Sequence, residues 1–416
     1  MKRWRSIIYA AIGIGLSRWL GPHRAWRKAG AAQLRLLRAR PLRFALYACV
    51  PLALFLAGLE AAARLFWPDP VAQETLEKPY IQYDAQLGWR HIPRLQTRTQ
   101  LVGLQYSLEV TINAEGCRDT LDYPTSKPSA DSYRVIALGD SFTFGHGVAT
   151  PQSWPALARR LFPQLDVLNF GVPGYGLDQM ALLYELRASA FEADHVVIAF
   201  IPDDLRRVYL DHWQSGYFRP QFRLDKNGEA SLARERAPRP VEAGDPIVAS
   251  QADGFVLRHS RLARLVRDRW RLLEFHRDRY ALPAAILRRF FGAVRANGVK
   301  AVTVVFLPDL WALRGDPERQ QAAQVLQKEC EKAGAAFLDL LPAFEDATGG
   351  DEKTFAQYFG PGGHYSPAGC AFVARLIAEH LLEQARRSGF VPRPAENPKP
   401  SIPQLSPANA ESGSGP

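Results

Sequence analysis

Residues 134–145 read RVIALGDSFTFG: one basic residue, an apolar run from Val135 to Leu138, then a glycine, an acid, a serine and a second glycine at 145. A short apolar run bounded by turn residues reads as a strand buried on both faces, the pattern of a parallel sheet covered by helices. A serine placed at the carboxyl end of such a strand stands where α/β proteins hold their ligands, flanked by glycines that let a substrate approach the backbone. A tight turn would use the same small residues, so the meaning of Ser141 depends on what the rest of the chain brings to it.

The same rhythm recurs on either side. DVLNF (166–170), HVVIAF (195–200), KAVTVVFL (300–307) and AAFLDL (335–340) are further candidate strands, and helical segments are expected near 152–162, 177–190, 283–297, 316–333 and 367–387. Five units of this kind predict an α/β fold of flavodoxin-like type. It has three α/β/α layers and a mostly parallel five-stranded sheet, and it occupies residues 131–388. Residues 205–280 interrupt the rhythm and read as an insertion or lid. Residues 68–130, with the alternating stretch LVGLQYSLEVTIN, read as a β-rich lead-in. The tail, residues 389–416, is read as disordered, with seven prolines among the last 26 residues.

The chain has 416 residues and a formal charge of +10, but eleven basic and no acidic side chains fall in residues 1–43, leaving 41 against 42, or −1, for the rest. A near-neutral body argues against a nucleic-acid surface, which needs Lys and Arg gathered where phosphates lie. After the basic head, residues 44–67 form an apolar segment of about 36 Å as a helix, enough for a hydrocarbon core of about 30 Å. One N-terminal transmembrane helix is expected, with Glu60 and Arg64 at its far interface and Trp67 as an aromatic anchor. The charge bias keeps the N-terminus cytoplasmic and sends the body across the inner membrane into the periplasm. A cleaved signal peptide is the rival, with Ala61 and Ala63 flanking a candidate cleavage site, but the basic region is long for one. Residues 6–16 are too short to span and are expected at the membrane surface. Cys49, Cys117, Cys330 and Cys370 have no metal or redox spacing and read as packing residues, with a bridge among the last three left open.

Three further motifs fall at strand ends or helix starts. Asn169–Gly176 (NFGVPGYG) is a glycine-rich loop able to present a backbone N–H to the crevice, and Asp203 and Asp204 follow the third strand. His364 precedes Ser366-Pro367, an N-cap and first-turn pair that would hold it at a helix start in a setting suited to a general base.

These blocks resemble the SGNH (GDSL-type) serine hydrolases, over roughly residues 80–385. YDAQLGWRHIP (83–93) and INAEGCRD (112–119) are similar to the lead-in of membrane-tethered bacterial members. The resemblance implies Ser141 as nucleophile, His364 as base and Gly174 as an oxyanion donor, with no cofactor or metal. It departs from the family at two points. Asp203 stands where an asparagine would donate to the oxyanion, and Pro361 and Gly362 stand where an acidic partner of the histidine would be. Asp351, Glu352, Asp204 or a backbone carbonyl could replace that partner. The expected function is a membrane-anchored esterase, or an acyl-transferring relative, acting on acylated envelope glycans or lipids. The alternative is a catalytically impaired glycan-binding or assembly protein. Nothing in the sequence indicates oligomeric state.

Overall fold

The structure is a computed structural model, and it describes residues 41–66, 80–100, 107–129, 131–210, 217–237, 260–277, 279–312 and 316–390. Most of the basic head, the apolar stretch at 6–16, Trp67 and the proline-rich tail from 391 lie outside the described residues. The chain divides into two compact units, residues 1–69 with 259–265, and residues 70–258 with 266–416.

In the first unit α1 (Pro41–Phe66) is a helix of 26 residues that passes through Pro51 without ending. Its window Cys49–Phe66 has a mean hydropathy of 1.7 and exposes nearly all of its side chains, so the helix is long and apolar enough to cross a membrane. Glu60 carries charge within it. Its carboxylate accepts from Arg64 Nε at 2.7 Å, from Ser260 Oγ at 2.8 Å, and from the backbone N–H groups of Arg261 and Leu262 at 2.8 and 2.9 Å. A glutamate of this helix thus satisfies N–H groups at the start of the helix Arg261–Arg277, which have no partner within their own helix.

The second unit opens with two antiparallel pairs, β1 (Ile81–Asp84) with β2 (Gly88–His91) and β3 (Leu95–Gln100) with β4 (Ser107–Ile112). The central sheet holds β5 (Tyr133–Gly139), β6 (Leu165–Gly171), β7 (His195–Phe200), β10 (Ala301–Phe306) and β11 (Ala336–Asp339). Its order is β11-β10-β7-β5-β6, and every pairing is parallel. Alternate residues of a strand face opposite sides, and both sides are covered. Ile136, Leu138, Val196 and Ile198 enter one core layer with Leu182 of α4 (Leu177–Leu186) and Ile286 of the helix Ala281–Ala296. Val135, Ala137, Val197 and Ala199 enter the other with Leu157 of α3 (Trp154–Leu161) and Ile377 of the helix Pro367–Arg387. The result is the three-layer arrangement expected from the apolar runs. Residues 221–234, in the stretch read as an insertion or lid, form the hairpin β8 (Gln221–Leu224) and β9 (Ala230–Arg234). All four cysteines are free thiols, so the open possibility of a bridge is not realised. Cys117 and Cys330 pack in the first core layer and Cys370 in the second.

Strand order reverses at β5, which sends the chain first to β6 on one side and then to β7 on the other, and the crevice of such a sheet opens at that point. The backbones are close there. A Cβ added at Gly171 would lie 2.3 Å from Phe144 N and 2.6 Å from Thr143 C, atoms of the turn that follows β5. Gly171→Ala should therefore displace that turn and cost about 1–3 kcal/mol as overpacking. Urea unfolding of the two proteins measures this, and an unchanged midpoint would contradict the close approach.

Candidate active site

β5 ends at Gly139, and Asp140 caps a single helical turn, α2 (Ser141–Phe144), by accepting from Phe142 N at 2.8 Å. The turn closes on Gly145 in the left-handed region (φ 86°), which lets the N–H groups of Gly145 and His146 both reach Ser141 O. A side chain at Gly139 would meet Thr143 Oγ1 at 2.1 Å and Ala199 O at 2.7 Å, so only glycine allows the turn to fold back on the sheet. Arg118, fully buried, holds the far end of the turn. Its Nη1 donates to Phe144 O at 3.1 Å and to Gly145 O, and its Nη2 donates to Val148 O at 2.6 Å. Burial lowers its pKa to about 10. This is the arginine of the INAEGCRD stretch.

His364 arrives from the other end of the chain. Pro361-Gly362-Gly363 forms a turn with both glycines at positive φ, and Gly360 N donates to His364 O at 2.7 Å. Ser366 then caps the helix Pro367–Arg387 by accepting from Gly369 N at 3.2 Å. Between these two fixed points the imidazole Nε2 lies 2.8 Å from Ser141 Oγ, although 223 residues separate them. The ring packs against Phe142 at 4.9 Å and against His146 at 4.4 Å between centroids. Ser141 Oγ has Asp140 Oδ2 at the longer distance of 3.3 Å.

The acids of the third strand end are gathered by one side chain. On α5 (Pro202–Arg207), Arg207 donates through Nε to Asp203 Oδ2 at 2.8 Å, and through Nη1 to Asp204 Oδ1, to Asp140 Oδ2 at 3.3 Å and to Tyr175 O at 3.0 Å. Arg206 Nε donates to the other oxygen of Asp203 at 2.8 Å. Asp204 Oδ2 accepts from Ile201 N at 3.1 Å, capping the helix it belongs to. Burial pushes the Asp203 carboxyl upward, but Arg207 and Arg206 outweigh it and hold the group below the usual carboxylate range. For Asp140 burial prevails over Arg207, and for Asp204 burial and the nearby Asp140 push the pKa well up.

Gly174 lies in the loop between β6 and α4, at φ 80°. Three successive carbonyls of this loop have fixed donors: Trp89 Nε1 to Pro173 O, Arg219 Nη1 to Gly174 O and Arg207 Nη1 to Tyr175 O, each at 3.0 Å.

The structure therefore brings together Ser141 and His364, and it joins Asp203 and Asp204 to Asp140 and to the Gly174 loop through Arg207. Asp351 is otherwise engaged. It caps the short helix Glu352–Ala356, accepting from Thr354 N and Oγ1 at 2.7 Å each, and Glu352 is exposed beside it. Sequence reading missed Arg207, although its spacing of three and four residues from the two acids on one helix was a usable signal. It also missed His146 and Trp89, whose contacts are with a ring or with a backbone carbonyl, and Arg219, which pairs with buried Asp178 as well as with Gly174 O.

A sequence-family model, the GDSL-like lipase/acylhydrolase family, matches residues 137–372, more than half of the chain. The chain belongs to that family. Its fold and its ester-hydrolase class are those of the GDSL-like acylhydrolases. No curated protein matches the sequence. Among solved structures the chain is similar to a lipolytic protein of the G-D-S-L family from Desulfitobacterium hafniense, at 13% identity over 60% of this chain and 99% of the other, with a TM-score of 0.35. It is also similar to a lipase/acylhydrolase from Enterococcus faecalis, at 14% identity over 61% and 96%, TM-score 0.35. A catalytic mutant of an acetylxylan esterase from Geobacillus stearothermophilus matches at 17% identity over 64% and 97%, TM-score 0.36. Asp203, which the resemblance sets against an asparagine of the family, has its charge engaged by two guanidinium groups.

Arg207→Met would leave Asp140, Asp203 and Asp204 without their shared cation, and at pH 7 it should cost about 3–5 kcal/mol. In the wild type the depressed pKa of Asp203 contributes stability that is full above the unfolded value of about 3.9 and is lost as pH falls through the folded value. In the variant the buried carboxyls have raised pKa values and regain protons, and stability, as pH falls. Urea unfolding between pH 4 and 8 should show the gap narrowing toward acid. A gap independent of pH would contradict this account.

Proposed function

We propose that the protein is a membrane-anchored serine esterase that acts on ester-linked acyl groups of envelope glycans or lipids through an acyl-enzyme on Ser141. The observation that carries this reading is the 2.8 Å approach of His364 Nε2 to Ser141 Oγ at the switch point of the sheet. In the reaction Ser141 Oγ attacks the ester carbonyl carbon as its proton passes to His364 Nε2, and the carbonyl oxygen becomes an oxyanion. The N–H groups of Ser141 and Gly174 are the donors assigned to that oxyanion, a contribution worth about 10²- to 10³-fold in kcat for one donor. His364 then protonates the leaving alkoxide. Water, activated by the same imidazole, releases the acid, and a sugar hydroxyl in place of water would make the reaction an acyl transfer.

Arg206 and Arg207 make Asp203 compatible with this chemistry, because a paired carboxylate repels a developing oxyanion less than a bare one would. Labelling with a fluorophosphonate should modify the wild type and be lost in Ser141→Ala, and the same substitution should abolish hydrolysis of p-nitrophenyl acetate. A folded wild type that neither labels nor turns over would sink the enzyme reading. It would favour the second one, a glycan-binding protein, for which the carboxylate at position 203 is the specific observation. That reading requires Ser141→Ala to bind acylated envelope polysaccharide as well as the wild type.

Anchoring rests on the apolar helix Pro41–Phe66 and the basic residues that precede it. The full chain should stay with membranes through alkaline carbonate extraction, whereas a fragment of residues 68–416 should be released. Retention of the fragment would place the membrane attachment elsewhere.

A further inference from the structure

We propose that Trp89 is a positioning residue that aims the Gly174 N–H at the oxyanion. Residues 172–175 form a β-turn, with Tyr175 N donating to Val172 O at 3.2 Å, Pro173 at its second position and Gly174 at its third with φ 80°. A positive φ at the third position, behind a proline, makes it a type II turn. Type I and type II turns differ by a flip of the central peptide, here Pro173–Gly174, and proline followed by glycine is compatible with both. That peptide is the one whose N–H the esterase reading assigns to the oxyanion.

In a trans peptide the C=O and the following N–H point in opposite directions. Whatever holds Pro173 O on one side therefore holds Gly174 N–H on the other. Trp89 Nε1 donates to Pro173 O at 3.0 Å, and the indole is fully buried. It lies edge-on to Tyr175 at 5.4 Å, and its own carbonyl accepts from Tyr175 OH at 2.6 Å, so the hairpin β1–β2 grips the turn at two points. Arg219 completes the clasp. It donates to Gly174 O and, at 2.7 Å, to buried Asp178, and its guanidinium sits 5.8 Å over the Trp89 ring. Gly88 lets the hairpin lie against the segment that carries Arg219, since a Cβ there would lie 2.2 Å from Phe218 O. Trp89 precedes the span matched by the family model, so the support for the oxyanion peptide comes from the lead-in. Without the indole N–H the hairpin no longer holds Pro173 O, and in the type I alternative the flipped peptide would turn its carbonyl toward the oxyanion.

This inference rests on the esterase reading. The test compares the full-length protein with Trp89→Phe, which keeps an aromatic ring and loses the donor, using p-nitrophenyl acetate as substrate. Loss of aim for one oxyanion donor should lower kcat by about 10- to 100-fold, with KM within about twofold. A boronic acid, which forms a tetrahedral anionic adduct on the serine, should weaken as an inhibitor in parallel with kcat. Should Trp89→Phe fail to fold, benzothienylalanine at position 89, which replaces the N–H by sulphur in nearly the same shape, must give the same pattern. An active wild type with unchanged kcat and boronate affinity in a folded variant overturns the proposal alone. A wild type that neither turns over nor labels overturns the esterase reading and this proposal with it.

Discussion

The site is organised by a charge constraint beneath Ser141. Asp140 is buried because it caps the turn that carries Ser141, and Asp204 is buried because it caps the start of its own helix. β5 and β7 are neighbours in register, Gly139 beside Ala199, so the two caps fall side by side at the reversal of strand order. Two buried carboxylates in contact with a low dielectric demand a cation, and Arg207 supplies it from the next turn of α5. The same guanidinium reaches Asp203 and the carbonyl of Tyr175. The turn that carries Ser141, the helix after β7 and the glycine-rich loop are therefore referred to one group, and none of them can shift without leaving a buried charge or carbonyl poorly paired.

This arrangement changes the meaning of the residue at position 203. On the esterase reading an asparagine there would be a neutral donor to the oxyanion, whereas an aspartate adds a charge beside it. Arg206 and Arg207 take one carboxylate oxygen each, so the field at the crevice is that of an ion pair and not of a free acid. The local balance then depends on guanidinium groups, which stay protonated across the whole pH range in which enzymes work.

Much of this was readable in advance, for reasons that differ by residue. HVVIAF coincides with β7 because a central strand buried on both faces is apolar almost throughout, and AVTVVF (β10) follows the same rule along its buried half, whereas AFLD (β11) is a half-buried edge strand. Ser141 and His364 stood out because each lies in a turn whose small residues have a steric reason, such as the positive φ of Gly145, Gly362 and Gly363. Asp351 looked like a free acid near the histidine, but Asp with Thr three residues later is also an N-cap pattern, and the local hydrogen bonds claimed it. Trp89 and Arg118 were out of reach. Their partners are backbone carbonyls, which every residue carries, so nothing in the partner's identity marks the contact.

Glu60 has a consequence for the order in which the protein can be assembled. Its carboxylate sits in a helix suited to a bilayer, and the groups that satisfy it, on Ser260, Arg261 and Leu262, lie about 200 residues further along the chain. At roughly 5–20 residues per second, the ribosome delivers those partners about 10–40 s after the glutamate itself. During that interval the acid has Arg64, one turn away, as its companion. The last turn of the helix therefore reaches its final hydrogen bonding only when the chain beyond it has been made and folded back.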